Sequence, residues 1–373
     1  EDKLMTSAEK LDNMFKLVKP KDRTEIPVFP MIITWCGKVA GITQAQMIKD
    51  HKKWLLAMDK CFEVIGNPDA TMALPPADTI FSMGLLARIP GRELGEDELY
   101  QFIEKDWFTD ENEYDRILQM GWDAYIGMHQ CRVQTPPFKS PEELYARFGA
   151  LGARAAESAA HFLQMGIEPI SHASAAPVFD ILSLTHSMEP FLLDLVTIPG
   201  KIMDVVNAAT PHLIDRTVGT IKQTHATRVT MWAMRSSSTF ISPDMFNEYA
   251  WPSMKKMIEA FWKAGAVSVI HCDGNWLPML KYFPEVPKGS VHFELDGTTD
   301  VLKAYDIVGG WHSIRGDVPS TLFAFGTPDK VGEYCEKLIT EVGMKGGFML
   351  GSGCEVPLNA KVENVKAMMD VLK

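Results

Sequence analysis

The chain has no apolar run near the roughly 18 residues that a membrane-spanning helix requires. It has no run of basic residues. Lys+Arg number 37 against Asp+Glu 48 in 373 residues, a net charge of −11. That balance argues against nucleic acid and anionic membrane as partners. Cysteine is sparse: Cys36, Cys61, Cys131, Cys272, Cys335 and Cys354 are scattered along the chain. Such spacing is no disulfide framework, and with no signal-peptide core near the start the expected compartment is the cytoplasm. No internal repeat and no Gly-, Ser- or Pro-rich linker divides the sequence. There is no HExxH, no paired CxxC, and no Gly-rich phosphate fingerprint after the first strand. The missing fingerprint counts against an open doubly wound sheet.

What is present is a rhythm. Strand-like runs near 26, 70, 167, 228, 267, 291, 311 and 347 alternate with helical stretches. Helix starts are marked by Ser140-Pro141-Glu142, Ser242-Pro243-Asp244 and Thr327-Pro328-Asp329, an N-cap followed by proline at the first helical position. Val331, Tyr334, Cys335, Leu338, Ile339 and Val342 form one helical stripe. Eight strand–helix units predict an α/β fold, a single (β/α)8 TIM barrel. Residues 76–140 fit no single connection and predict a long insertion after the second strand, covering the site as a lid. Residues 1–373 are expected to be one domain.

In such a barrel the functional groups lie at the C-terminal strand ends. Those ends carry Arg235, His271 and Asp273, Glu294 and Asp296, Arg315 and Asp317, and Cys354. If the pleat of strand five persists, His271 and Asp273 face one side and Cys272 the other. Cys354 can reach the same space. Imidazole, carboxylate and thiolate are zinc ligands, and three of them leave one open position. The bland alternative is a hydrogen-bonded His271–Asp273 pair with Cys354 as a buried small residue. Glu294 reads as an acid, a ligand or a rim salt bridge. Asp317 beside Arg315 reads as a catalytic group or an ion pair. His172 and His186 fall near the expected entrance. Trp35, Trp232, Trp251 and Trp276 suit core or pocket wall.

The stretches VIHCDGNWLPML, GTPDKVGEYCEKLITEVG and GGFMLGSGCEVPLNAKVENVKAMMDVL together resemble the uroporphyrinogen decarboxylase superfamily, most strongly over 228–373. The resemblance implies a barrel and two chemistries. Decarboxylases of the group carry an early Arg-containing segment that grips substrate carboxylates. Here that segment is PVFPMIITWCGKVAGIT, with no Arg, so a cofactor-free decarboxylase is the weaker alternative. A non-catalytic barrel that sequesters a tetrapyrrole or corrinoid is a third reading. The corrinoid-dependent methyltransferase branch carries a His-x-Cys-Gly motif and a late Cys. His271 and Cys354 match, and Asp273 replaces the first Cys. A carboxylate there makes a bound zinc a harder Lewis acid, less suited to a thiol substrate. With RGDVPSTL and GCEVPLNAKVEN, the chain is most similar to enzymes that demethylate methoxylated aromatics. The resemblance implies metal ligands His271, Asp273 and Cys354 and a small methoxylated substrate; Glu294, Asp317 and Arg235, from their places at the strand ends, are the expected catalytic residues. The resemblance also implies a corrinoid held by a separate protein, since this chain has no D-x-H-x-x-G motif. A homodimer is left open.

Overall fold

The computed structural model describes residues 4–75, 86–110 and 112–373. Its centre is a curled parallel sheet of seven strands. The strands are β1 (Val28–Met31), β6 (Ala173–Ala175), β7 (Arg228–Ala233), β8 (Val267–Cys272), β9 (Val291–Leu295), β10 (Ser313–Val318) and β11 (Phe348–Glu355), in the order β1-β11-β10-β9-β8-β7-β6. A second parallel pair, β2 (Ala70–Thr71) with β5 (Glu168–Pro169), stands between the sheet's two edges. The Asp69 amide donates to Val28 O (2.9 Å) and the Glu168 amide to Asp69 O (3.0 Å). On the far side the His172 amide donates to Arg228 O (3.2 Å). This backbone relay is consistent with the expected barrel.

One expected strand is divided. The run 166–171 contributes only β5, and the chain resumes as β6 to pair with β7. Each short piece serves a different neighbour. His172 therefore lies at the N-terminal end of β7, beside Arg228, and not at the expected entrance. The runs 311–315 and 347–352 that the sequence marks as strands extend further in the structure, β10 to Val318 and β11 to Glu355.

The sequence of β9, VHFEL, shows how the layers form. Val291, Phe293 and Leu295 join the apolar layer shared with the helices, while His292 and Glu294 take the opposite face. That inner face also carries Phe29, Met31, Ile170, Trp232, Val269 and Met349. Burying one such large side chain contributes about 1.5–3 kcal/mol.

The helices begin where their caps predict. Ser140 accepts from the Glu143 amide to open Pro141–Gln164, Ser242 from the Met245 amide, and Thr327 from the Lys330 amide to open Pro328–Glu341. No described helix is long and apolar enough to cross a membrane.

Residues 76–85 and 111 of the expected insertion lie outside the described residues. The rest holds an antiparallel pair, β3 (Ala87–Arg88) with β4 (Gln101–Phe102), and helices Glu113–Met120 and Trp122–Val133. It is fastened to the C-terminal ends of two strands. The Tyr100 hydroxyl donates to Glu355 Oε2 (2.8 Å) at the end of β11. Arg235, after β7, donates to both oxygens of Glu104.

Candidate metal centre

Strand β8 keeps its pleat through Cys272, so His271 and Asp273 fall on one side as expected, and Cys272 is buried on the other. His271 Nε2 lies 3.4 Å from Asp273 Oδ1. One donor atom each from His271, Asp273 and Cys354 lies within 4.8 Å of the others. Among the described residues this is the group whose donors converge in that way.

Cys354 arrives by an irregularity. On β11, Met349 and Gly351 belong to the inner face, so strict alternation would turn Cys354 away. The ladder to β1 instead runs Phe29↔Gly351 and then Met31↔Glu355. Four residues on β11 thus span two on β1. A bulge of this kind re-aims a side chain at a strand end. Ser352 Oγ accepts the Met31 amide within it (2.9 Å), and Glu355 accepts from the Thr34 amide (2.9 Å) and hydroxyl.

The loop after β8 is braced as well. Gly274 has φ +80°, and a Cβ there would collide with Ser237 and Thr239. Asp296 Oδ2 accepts its amide (2.7 Å). Asp296 is thereby a strut for the loop that carries Asp273.

Glu294 stands beside the other ring nitrogen: His271 Nδ1 and Glu294 Oε2 are 3.0 Å apart. The buried carboxyl pays a desolvation penalty, yet Arg315 and His271 outweigh it and hold its pKa down to about 2. A carboxylate in that state carries no proton near neutrality. The role as proton donor therefore does not follow from its surroundings; orienting the imidazole does. Burial also opposes charge on His271. Asp273, Cys354 and Glu294 overcome it and hold the imidazole pKa well above its ordinary value. The Trp232 ring meets the His271 ring edge to face at 5.3 Å.

Arg315 pairs with Glu294, not with Asp317 (Nε–Oε1 3.4 Å). Asp317 instead accepts the Tyr334 hydroxyl at 2.7 Å. Burial pushes its pKa up to about 7 against that hydrogen bond, with Asp300 and Asp296 adding to the rise. Arg235 is turned toward the 86–110 segment: its guanidinium holds Glu104 and Ser183 O (3.2 Å). His186 lies in a separate cavity of about 440 Å³, between Asp106 and Asp194, each 2.9 Å from a ring nitrogen.

One acid escaped the sequence reading. Asp180 is wholly buried, takes the Arg235 amide (2.7 Å) and the Ser236 hydroxyl, and is pushed by burial to about 6. Its only signal was a carboxyl inside the apolar run VFDILSL.

A curled parallel sheet of seven strands with a His-Asp-Cys cluster at its C-terminal strand ends defines an α/β protein consistent with a TIM barrel. The family profile described as uroporphyrinogen decarboxylase (URO-D) matches residues 169–373, more than half of the sequence. The chain belongs to the uroporphyrinogen decarboxylase family. A solved methyltransferase from Methanosarcina mazei is similar in fold, with a TM-score of 0.64 at 15% identity, over 99% of this chain and 98% of the other. No curated protein sequence matches the chain.

Proposed function

We propose that the chain is a methyltransferase that moves the methyl group of a methoxylated aromatic to the Co(I) of a separate corrinoid protein. The observation that carries the reading is the convergence of His271, Asp273 and Cys354 at the strand ends. The methyltransferase fold neighbour supports it.

The donor set fits zinc. Nitrogen, oxygen and sulfur are its usual ligands, and three protein donors match a catalytic site with an open position. The partner carboxylate on the second ring nitrogen, here Glu294, is the common support for a metal-bound histidine. Bound there, zinc would supply Lewis acidity to the ether oxygen of the substrate.

In the overall reaction the carbon–oxygen bond breaks and a cobalt–carbon bond forms. Co(I) supplies the electron pair, and the aryl oxygen leaves with the old one. That oxygen then needs a proton. Asp317, near the end of β10, is a carboxyl whose burial suits it to hold one near neutrality, and one of its oxygens is free of the Tyr334 bond. Glu294 orients His271. Arg235 acts at one remove, by holding the 86–110 segment across the strand ends through Glu104. Met31, Trp232 and Phe29 line the inner face below and keep water from the reacting atoms. In this reading the barrel closes through β2 and β5, and the 86–110 segment is held at its strand ends by Tyr100 and Glu104.

The test is a panel of methoxylated phenols incubated with the protein and a Co(I) corrinoid protein. The absorption of methyl-Co(III) should appear with one class of donor. A cobalt spectrum unchanged across the whole panel would refute the assignment.

A further inference from the structure

Parallel register places five inner-face residues in one row across adjacent strands: Trp232, His271, Glu294, Arg315 and Met349. Arg315 is fully buried. Its guanidinium lies over the Phe29 ring at 4.8 Å. Gly351 makes room for its stem, since a Cβ there would stand 3.0 Å from Arg315 Cγ and Cδ. None of its Nε, Nη1 and Nη2 atoms has a hydrogen-bond partner among the described residues, and neither has Glu294 Oε1. Besides the Phe29 ring it meets the Glu294 carboxylate, an ion pair at 3.4 Å.

A buried ion pair of this quality is a liability for stability, and apolar residues of similar volume often replace one without loss. A role in the site explains why it is there. We propose that Arg315 is a positioning residue for the metal centre. It anchors the Glu294 carboxylate, which orients the His271 ring so that Nε2 faces Asp273 and Cys354. With an anchored carboxylate as acceptor, Nδ1 carries the hydrogen of the 3.0 Å bond and Nε2 presents its lone pair. Without the guanidinium, Glu294 has no fixed countercharge and the ring loses its orienting acceptor. The inference rests on the metal reading given above.

The test measures Zn²⁺ and Co²⁺ affinity by competition with a chromophoric chelator, together with the visible spectrum of the Co²⁺ form. It compares the parent, Arg315→Met, Arg315→Lys, Glu294→Gln and the Arg315→Met/Glu294→Gln double variant. Arg315→Met should weaken metal binding by about 10–100-fold and alter the Co²⁺ bands. Arg315→Lys should recover most of the loss. In the Glu294→Gln background, Arg315→Met should add little, because the arginine acts through the carboxylate. If Arg315→Met does not fold, the double variant, which removes both charges together, still gives that last comparison. Parent-like affinity and spectrum in Arg315→Met, or losses that simply add, overturn the proposal and leave the metal reading standing. A parent chain that binds neither ion takes down both.

Discussion

Replacing Asp317 with Asn tests whether an acid kept protonated by burial weakens the fold while serving the reaction. The asparagine keeps an oxygen for the Tyr334 hydroxyl, so the 2.7 Å bond survives. The change therefore isolates ionisation. Burial raises the Asp317 pKa from 3.8 to about 7. The folded state thus holds a proton that the unfolded chain releases at lower pH. The contribution to stability is full below the unfolded pKa and is lost as pH rises through the folded one. Moving a carboxyl over that range is worth at most about 4 kcal/mol, at 1.36 kcal/mol per pH unit. Urea denaturation of both proteins from pH 4 to pH 8.5 should show the stability gap widening in favour of Asp317→Asn up to pH 7, then levelling. Methyl transfer should fall by roughly 10²–10⁴-fold, the usual loss when a general acid is removed. A gap that stays constant with pH would refute the burial argument. An unchanged transfer rate would refute the assignment of the proton.

Metal analysis of the purified protein should give about one zinc per chain, falling sharply in His271→Ala and in Cys354→Ala; full retention in both would dissolve the centre. Because neighbouring anions raise the His271 pKa, protons compete for the ring, and zinc affinity measured from pH 6 to pH 8 should rise with pH. Arg235→Met should change the melting point little, since the Glu104 side chain is 52% exposed and such pairs contribute about 1 kcal/mol or less. It should nevertheless speed amide hydrogen exchange at 100–104, and unaltered exchange would count against the fastening. Gly351→Ala places a Cβ 2.5 Å from Phe29 O, so it should cost about 1–3 kcal/mol by overpacking and weaken metal binding through Arg315.

Much of the second half of the fold was legible because its signals are local. Ser-Pro and Thr-Pro caps, glycine stops and apolar stripes each lie within a few residues, and they marked the helices at 141, 243 and 328. The pairing of His271 with Asp273 needed only the pleat of one strand. The misplaced residues all depended on partners far along the chain. Arg315 stood two residues from Asp317 in sequence, yet it pairs across the sheet with Glu294. His172 looked like a strand end because nothing local shows that its strand is shared between two neighbours. Arg235 and His186 were drawn away by Glu104 and Asp106, from a segment whose path the sequence did not reveal.

The irregular stretch of β11 has a consequence for how the thiol is aimed. On one side its ladder with β10 runs unbroken to Ser352; on the other, contact with β1 resumes only at Glu355. Between those points the backbone is released from the β1 ladder, so the aim of the sulfur is set by that short stretch and not by the pleat of the sheet. The sulfur is therefore the one donor of the three whose placement depends on a local break in pairing, while His271 and Asp273 follow the regular strand before them.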